Sequence, residues 1–236
     1  MPTLDQITRL PLAPLLLAQG LWVRWQALNL PEPPGPRSGG KGDGLRLLIL
    51  GDSSAAGVGA ETQNTALSGQ LIGVLSQDNP VTWHLEAETG ATTRDSLAKL
   101  ARLPDTQFDV ALLVHGVNDT TRFTSARTFH TRQTNLIDSL QAAHGVKHFV
   151  LSGVPPMQHF PLLPQPLRWV LGCHAARLDR VLADLAATRS DCTHLALDLP
   201  YEPRFVARDG YHPSEEAYAE WATGLAEIIS PQLWRS

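Results

Sequence analysis

The sequence predicts an α/β protein, organised as a three-layer α/β/α sandwich around a five-stranded parallel sheet. From Leu45 onward, short apolar stretches alternate with longer stretches of helical periodicity, which is typical of a parallel sheet with helices on both faces. The stretch "FDVALLVHG" at 108–116 is apolar without interruption, as a strand covered on both faces should be. The predicted strands are 45–51, 81–88, 108–116, 148–155 and 193–199.

Five helices are predicted between and after these strands. The stretch "TALSGQLIGVLSQ" repeats its apolar residues with helical spacing. Thr92 with Asp95 three residues later is typical of a capped helix start, and Pro213 suits the first turn of the closing helix. The predicted helices are 65–77, 92–103, 124–143, 165–188 and 213–229.

The chain divides into an N-terminal region, 1–44, and a main domain, 45–236. The region begins with an apolar helix and ends in the Pro- and Gly-rich linker "LPEPPGPRSGGKGDG", 30–44. The uncharged run "LPLAPLLLAQGLWV", 10–23, is shorter than the ~20 apolar residues that a membrane-spanning helix needs.

Three alternatives account for this apolar run. A helix over 14–29, with Pro14 in its first turn, places Leu17, Leu21, Trp25 and Leu28 on one face. That face either packs on the domain or makes peripheral contact with a membrane surface. The third alternative is a cleaved secretory signal, which the charged residue before the run and the small residues of "AQG" favour.

The charge and the cysteine content limit the kinds of binding partner that we expect. The formal net charge of −4 and the lack of a basic run give no reason to expect nucleic acid. The two cysteines, Cys173 and Cys192, have no metal-ligand spacing, so free thiols in a reducing compartment are expected. We therefore expect a cytoplasmic protein, membrane-associated if the N-terminal helix binds lipid, with no metal and no cofactor. The sequence leaves the oligomeric state open.

Polar residues with complementary chemistry follow the predicted strands. Ser53 comes after the first strand, Gly90 after the second and Asn118 after the third, while Asp209 and His212 precede the last helix. In open parallel sheets, sites form beyond the carboxyl ends of the strands. We expect these five residues to meet at that edge.

The residue types indicate nucleophilic acyl transfer. A serine hydroxyl needs a base, which His212 can provide, and Asp209 can fix the imidazole tautomer and stabilise the imidazolium. The developing oxyanion needs donors that are already in place. The backbone N–H groups of Ser53 and Gly90 and the side-chain amide of Asn118 are the candidates for this oxyanion hole.

The blocks "GDSS", "TGATT", "GVND" and "DGYHP", in this order, resemble the SGNH (GDSL-type) hydrolases. The resemblance covers the chain from Leu45 to about Ile229. It implies a flavodoxin-like fold, a Ser53–His212–Asp209 triad and hydrolysis of esters or thioesters. The one departure is "GDSSA", where the family often has Gly-Asp-Ser-Leu; it does not affect the serine.

For other residues near the predicted site, a structural role is expected or stays as an alternative. Asp52 is expected to accept hydrogen bonds from loop backbone, and Asp119 to be a turn residue without a chemical role. His115 either lines the site or is a packed histidine. The apolar stretch after the fourth strand is either a wall of an acyl pocket or a surface-packed loop: Met157, Phe160, Leu162, Leu163 and Trp169.

Two other folds fit the sequence less well. An α/β-hydrolase needs Gly-x-Ser-x-Gly, whereas the fifth position here is Ala55, and no phosphate-binding glycine motif supports a nucleotide-binding module. The insertions between elements are modest, which favours an open site. The predicted function is therefore hydrolysis of small carboxylic esters with short acyl or acetyl groups. The alternative is a lysophospholipase or acyl-thioesterase acting on longer chains.

Overall fold

The computed structural model describes residues 3–40, 42–77, 80–197 and 202–229. In chain order, its principal elements are α1 Leu4–Gln26, β1 Ser38–Gly39, β2 Leu45–Gly51, α2 Leu67–Leu75, β3 Val81–Ala87, α3 Thr93–Lys99, β4 Val110–Val114, α4 Val117–Thr121, α5 Ala126–His144, β5 His148–Ser152, α6 Leu167–Thr188, β6 Cys192–Leu195 and α7 Glu215–Ile228. Short 3₁₀ turns lie at 100–102, 157–159 and 203–205.

The sheet has the order β1-β3-β2-β4-β5-β6. Its last five strands in this order are parallel, and their arrangement is that of flavodoxin-like sheets. The predicted α/β sandwich is thus confirmed. The sheet is mixed, however, and has six strands, because Ser38–Gly39 pairs antiparallel with Trp83 and His84 at one edge. Two residues in a Gly-rich linker carry no period-2 pattern that could have predicted this strand.

Alternate residues of the central strands pack into two separate cores. On one face of the sheet, Leu47 and Ile49 pack with helices α2 and α7. On the other face, Leu48 and Leu50 pack with α5 and α6. All five residues of β4 are buried, as its uninterrupted apolar sequence predicted.

Several boundaries differ from the predicted ones. The closing helix is capped by Ser214, whose hydroxyl accepts a hydrogen bond from Ala217 N–H at 3.2 Å, so Pro213 lies before the cap rather than in the first turn. The short helix α4 was not predicted, because five residues are too few to show helical periodicity. Strand β6 ends at Leu195, and residues 198–199 of the predicted strand lie outside the described residues.

The N-terminal helix differs most. It begins at Leu4, ten residues before the predicted start, and contains both Pro11 and Pro14. Its early start is stabilised by tertiary contacts of the first turn, where the buried Asp5 carboxylate pairs with Arg177 of α6 at 2.8 Å. Sequence periodicity carries no signal for such a contact.

The face predicted to pack or to meet a membrane points away from the domain. Leu17, Leu21 and Trp25 are all exposed, and Leu28 lies beyond the end of the helix. The opposite face, with Leu16 buried at its centre, packs on the domain.

Candidate active site

The site lies where the carboxyl ends of β2, β3 and β4 meet the loop before α7. Ser53 follows β2 by two residues and is almost fully buried. His212 and Asp209 lie on the loop that enters α7. The fold therefore brings together residues 159 positions apart in the chain, as their placement at one sheet edge predicted.

Ser53, His212 and Asp209 form a hydrogen-bonded series. His212 Nε2 lies 2.8 Å from Ser53 Oγ, and His212 Nδ1 lies 2.5 Å from Asp209 Oδ2. A carboxylate can only accept, so Nδ1 carries the proton in the neutral ring and Nε2 is left to accept from the serine hydroxyl. This is the arrangement in which an imidazole can remove the proton of an attacking serine.

The carboxylate of Asp209 is well supplied with donors. Its Oδ1 accepts the backbone N–H groups of Tyr211 and His212, each at 3.0 Å. Burial by itself would raise the pKa of Asp209, but these bonds and the one from the His212 ring outweigh it and lower that pKa. Asp209 is therefore an anion at neutral pH and holds the imidazole in one orientation.

The two loops that carry the serine and the histidine are pressed together. Gly59 has a φ of +108°, and a Cβ on it would lie 2.2 Å from Pro213 O, so only glycine allows this approach. Tyr218 of α7 donates its buried hydroxyl to Val58 O at 2.7 Å. These contacts fix the loop after Ser53 against the helix that follows His212.

The predicted oxyanion residues Gly90 and Asn118 lie on loops joined to the Ser53 loop, because the Asn118 amide donates both to Asp52 and to Ala91, next to Gly90. Within the described part of the chain, no acceptor takes the backbone N–H of Ser53 or that of Gly90. Gly90 has a φ of +83°, and a Cβ there would meet no atom within 4 Å. Glycine is favoured at position 90 because of this positive φ, and not because a Cβ would clash with a described atom.

Asn118 is positioned by contacts to both neighbouring loops. Its amide donates to Ala91 O at 3.1 Å and to Asp52 Oδ2 at 3.3 Å. The amide therefore bridges the Gly90 loop and the Ser53 loop. The longer of the two bonds is the one that could be exchanged for a substrate oxygen.

Asp52 accepts the Ser54 backbone N–H at 3.0 Å, as the sequence predicted for a loop-shaping carboxylate. Its environment differs from that of Asp209. Burial raises the pKa of Asp52 to about 6, against the opposing effects of the Ser54 N–H, His212 and Asn118.

Asp119 and His115 are both buried and hydrogen-bonded to residues of α3. Asp119 is completely buried and accepts both the backbone N–H and the hydroxyl of Thr93, each at 3.0 Å, so it joins α4 to the start of α3. It is thus more than the plain turn residue predicted. His115 lines the cavity, its Nε2 lies 2.7 Å from Ser96 Oγ, and burial lowers its pKa to about 4.

A cavity of about 570 Å³ opens beside Ser53. Phe160 and its neighbours His159 and Pro161 form part of its wall, whereas Met157 and Leu163 are buried in the core instead. The opposite wall was not predicted, because no motif marks it; it consists of Pro203, Phe205, Val206, Ala207, Arg208 and Trp221. The cavity therefore has walls from two segments that are distant in the sequence.

The remaining predictions concern the two cysteines, a metal site and a membrane-spanning helix. Cys173 and Cys192 are both free thiols. Over residues 3–40, 42–77, 80–197 and 202–229, no cluster of three or more His, Cys, Asp or Glu side chains is arranged to hold a metal ion. Within the same ranges, no helix has the length and hydropathy to cross a bilayer.

Solved structures share this architecture. A lipase/acylhydrolase from Enterococcus faecalis has a TM-score of 0.59 and 20% identity, covering 78% of this chain and 95% of that one. For an acetyl xylan esterase from Geobacillus stearothermophilus the values are 0.60 and 17%, with 80% and 96% covered. For the psychrotrophic esterase EstA from Pseudoalteromonas sp. they are 0.59 and 19%, with 80% and 98% covered. At such identities the likeness shows the fold, which is that of the SGNH hydrolases.

The sequence itself shows the family. The model of the GDSL-like Lipase/Acylhydrolase family matches residues 49–220, most of the chain, so the protein belongs to that family. It is an esterase- or lipase-type hydrolase. No curated protein matches the chain significantly.

Proposed function

We propose that the protein hydrolyses carboxylic esters through an acyl-enzyme on Ser53, with acyl chains of about six to ten carbons as the preferred substrates. The observation that carries the first part is the hydrogen-bonded series, with His212 Nε2 2.8 Å from Ser53 Oγ and Asp209 Oδ2 2.5 Å from His212 Nδ1. A buried serine bonded in this way, at the mouth of a cavity, has a base ready to take its proton.

Each step uses a group already in place. Ser53 Oγ attacks the ester carbonyl while its proton passes to His212 Nε2. The bond to the alkoxy oxygen then breaks, and His212 returns the proton to the departing alcohol. Water then attacks the acyl-serine while His212 Nε2 takes its proton, the acyl–Ser53 bond breaks as His212 returns that proton to Ser53 Oγ, and the carboxylic acid leaves.

The oxyanion formed in both steps needs donors. The N–H groups of Ser53 and Gly90 have no acceptor among the described residues, and Asn118 can exchange its 3.3 Å bond to Asp52 for one to the oxyanion. An oxyanion donor is typically worth about 3 kcal/mol of transition-state stabilisation.

The cavity supports longer chains than acetyl. Its volume of about 570 Å³ is that of pockets holding whole small-molecule ligands, whereas an acetyl group would leave most of it empty. Its wall includes Val117, Phe160 and Phe205, which suit an alkyl chain. Lysophospholipids and acyl thioesters are the alternative substrates with longer acyl chains, and short-chain or acetyl esters are the competing class.

A chain-length series of p-nitrophenyl esters tests this proposal. We expect kcat/KM to peak at about six to ten carbons, because each methylene buried in the cavity adds apolar contact. A peak at acetyl would contradict the chain-length part, and absence of hydrolysis of any ester would contradict the whole. Labelling by an alkyl phosphonate, read by peptide mass spectrometry, checks Ser53 independently of the substrate.

A paired substitution sharpens the test. Val117→Phe adds a ring to the cavity wall and should move the optimum to shorter chains. The matched control is Val74→Phe on the exposed side of α2, which should leave the chain-length profile unchanged.

A further inference from the structure

Helix α1 has two faces, each apolar and each with a different environment. The inner face packs on the domain: Leu16 is buried, and Leu12 and Val23 contact the core around it. The outer face is not covered by any described residue of the domain. At 100° per residue its side chains span an arc of ~160°, and all are exposed: Leu4, Ile7, Leu10, Pro11, Pro14, Leu15, Leu17, Ala18, Leu21, Trp22 and Trp25.

Polar contacts hold the helix to the domain along its length. Near its start, the Asp5 carboxylate accepts from Arg177 and from Arg9, each at 2.8 Å. Further along, Gln19 accepts the Leu167 backbone N–H at 3.1 Å and donates to Gln165 O. These bonds fix the rotation of the helix, so the direction of its outer face is set by the fold.

The outer face is extensive and carries no charge. Leu10 and Trp25 are 83% and 80% exposed, and Leu17 and Leu21 are exposed by 68% and 70%. Single exposed leucines are ordinary on protein surfaces, but a contiguous patch of eleven exposed apolar residues marks an interaction surface.

We infer that this outer face binds a lipid surface, with α1 lying in the plane of the interface. A helix bound in this way places its apolar arc at the boundary between headgroups and acyl chains. The inference concerns attachment and does not depend on the proposed reaction.

The width of the arc favours lipid over a second copy of the chain. A packed helix covers a stripe of about 100°, so dimerisation through α1 would leave a third or more of the ~160° arc in water. A planar interface can cover the whole arc. Two of its residues, Trp22 and Trp25, are of the type enriched at membrane interfaces.

The charges around the arc fit anionic headgroups. The acidic residue of the helix, Asp5, is buried and paired with two arginines. Arg24 is exposed at the margin of the arc. The one exposed charged side chain of α1 is therefore positive, which complements a surface containing anionic lipid.

Co-sedimentation with vesicles tests the inference on the full chain. The probe is phosphatidylcholine vesicles containing about a quarter phosphatidylglycerol. We expect the chain to sediment with them, and the combined variant Leu17→Gln, Leu21→Gln and Trp25→Gln to lower the partition coefficient more than tenfold. Equal sedimentation of both proteins, or none of the wild type, would overturn the inference.

Controls separate lipid binding from folding and from self-association. Trp25→Gln is compared with Val74→Gln, which changes an exposed apolar residue away from α1 and should not alter sedimentation. Circular dichroism should show the same helix content in all variants. Sedimentation velocity without vesicles should give a monomer; a dimer that the triple substitution dissociates would assign the face to a second copy and refute the lipid proposal.

Discussion

Two buried aspartates flank Ser53, and their surroundings are opposite. Asp209, on the His212 side, receives two backbone N–H groups and the imidazole, and its pKa is lowered. Asp52, on the side of Gly90 and Asn118, receives one backbone N–H and a longer amide contact, and burial raises its pKa to about 6. The hydrogen bonds of the first side are complete before substrate arrives, whereas on the second side the N–H groups of Ser53 and Gly90 have no acceptor within the described part of the chain.

This difference suits two different tasks. A base must be oriented before it acts, so its hydrogen bonds belong to the resting enzyme. Oxyanion donors are needed only when charge develops on the substrate, so they must be fixed in place but left without a strong acceptor. The two sides of the serine therefore predict different responses to substitution.

The largest effect is expected on the histidine side. Ser53→Ala and His212→Ala should each lower kcat by about 10⁴–10⁶-fold with an unchanged thermal transition, and the double variant should be no worse than either single variant, because the two act as one unit. Steady-state kinetics with a p-nitrophenyl ester measures this. If Ser53→Ala retained more than a few per cent of the rate, the serine would not be the nucleophile.

A smaller effect is expected on the oxyanion side. Asn118→Ala should lower kcat by about 10²–10³-fold with little change in KM, because the lost donor acts mainly in the transition state. Asn118→Asp, similar in size but unable to donate when ionised, should be at least as slow. A change confined to KM would instead assign Asn118 to ground-state binding.

The smallest effect is on stability and follows from Asp52. Its folded pKa of about 6 lies above the ordinary value of 3.8, so its contribution to stability is fully present below 3.8 and is lost as the pH rises through about 6. The melting temperature of the wild type minus that of Asp52→Asn should therefore fall by roughly 4–8 °C between pH 4 and pH 7, on the order of 2 kcal/mol. Differential scanning calorimetry across this range measures the difference, and a flat difference would show that Asp52 titrates normally.

The sequence determined the sheet and the position of the site. Uninterrupted apolar strands such as 110–114 are visible in the sequence because burial on both faces demands them. Ser53, Asn118 and His212 could be placed at one edge because the carboxyl ends of parallel strands must meet there.

Tertiary structure alone decided the rest. The wall at 203–208, the pairing of Ser38–Gly39 and the burial of Asp119 depend on which distant segments pack together. The same holds for α1: its uncharged run, 10–23, places apolar residues on both faces of the helix, so periodicity could not choose the packed face. The contacts of Asp5 with Arg177 and of Gln19 with Leu167 fix the rotation of the helix. They position it so that Leu17, Leu21 and Trp25 face outward.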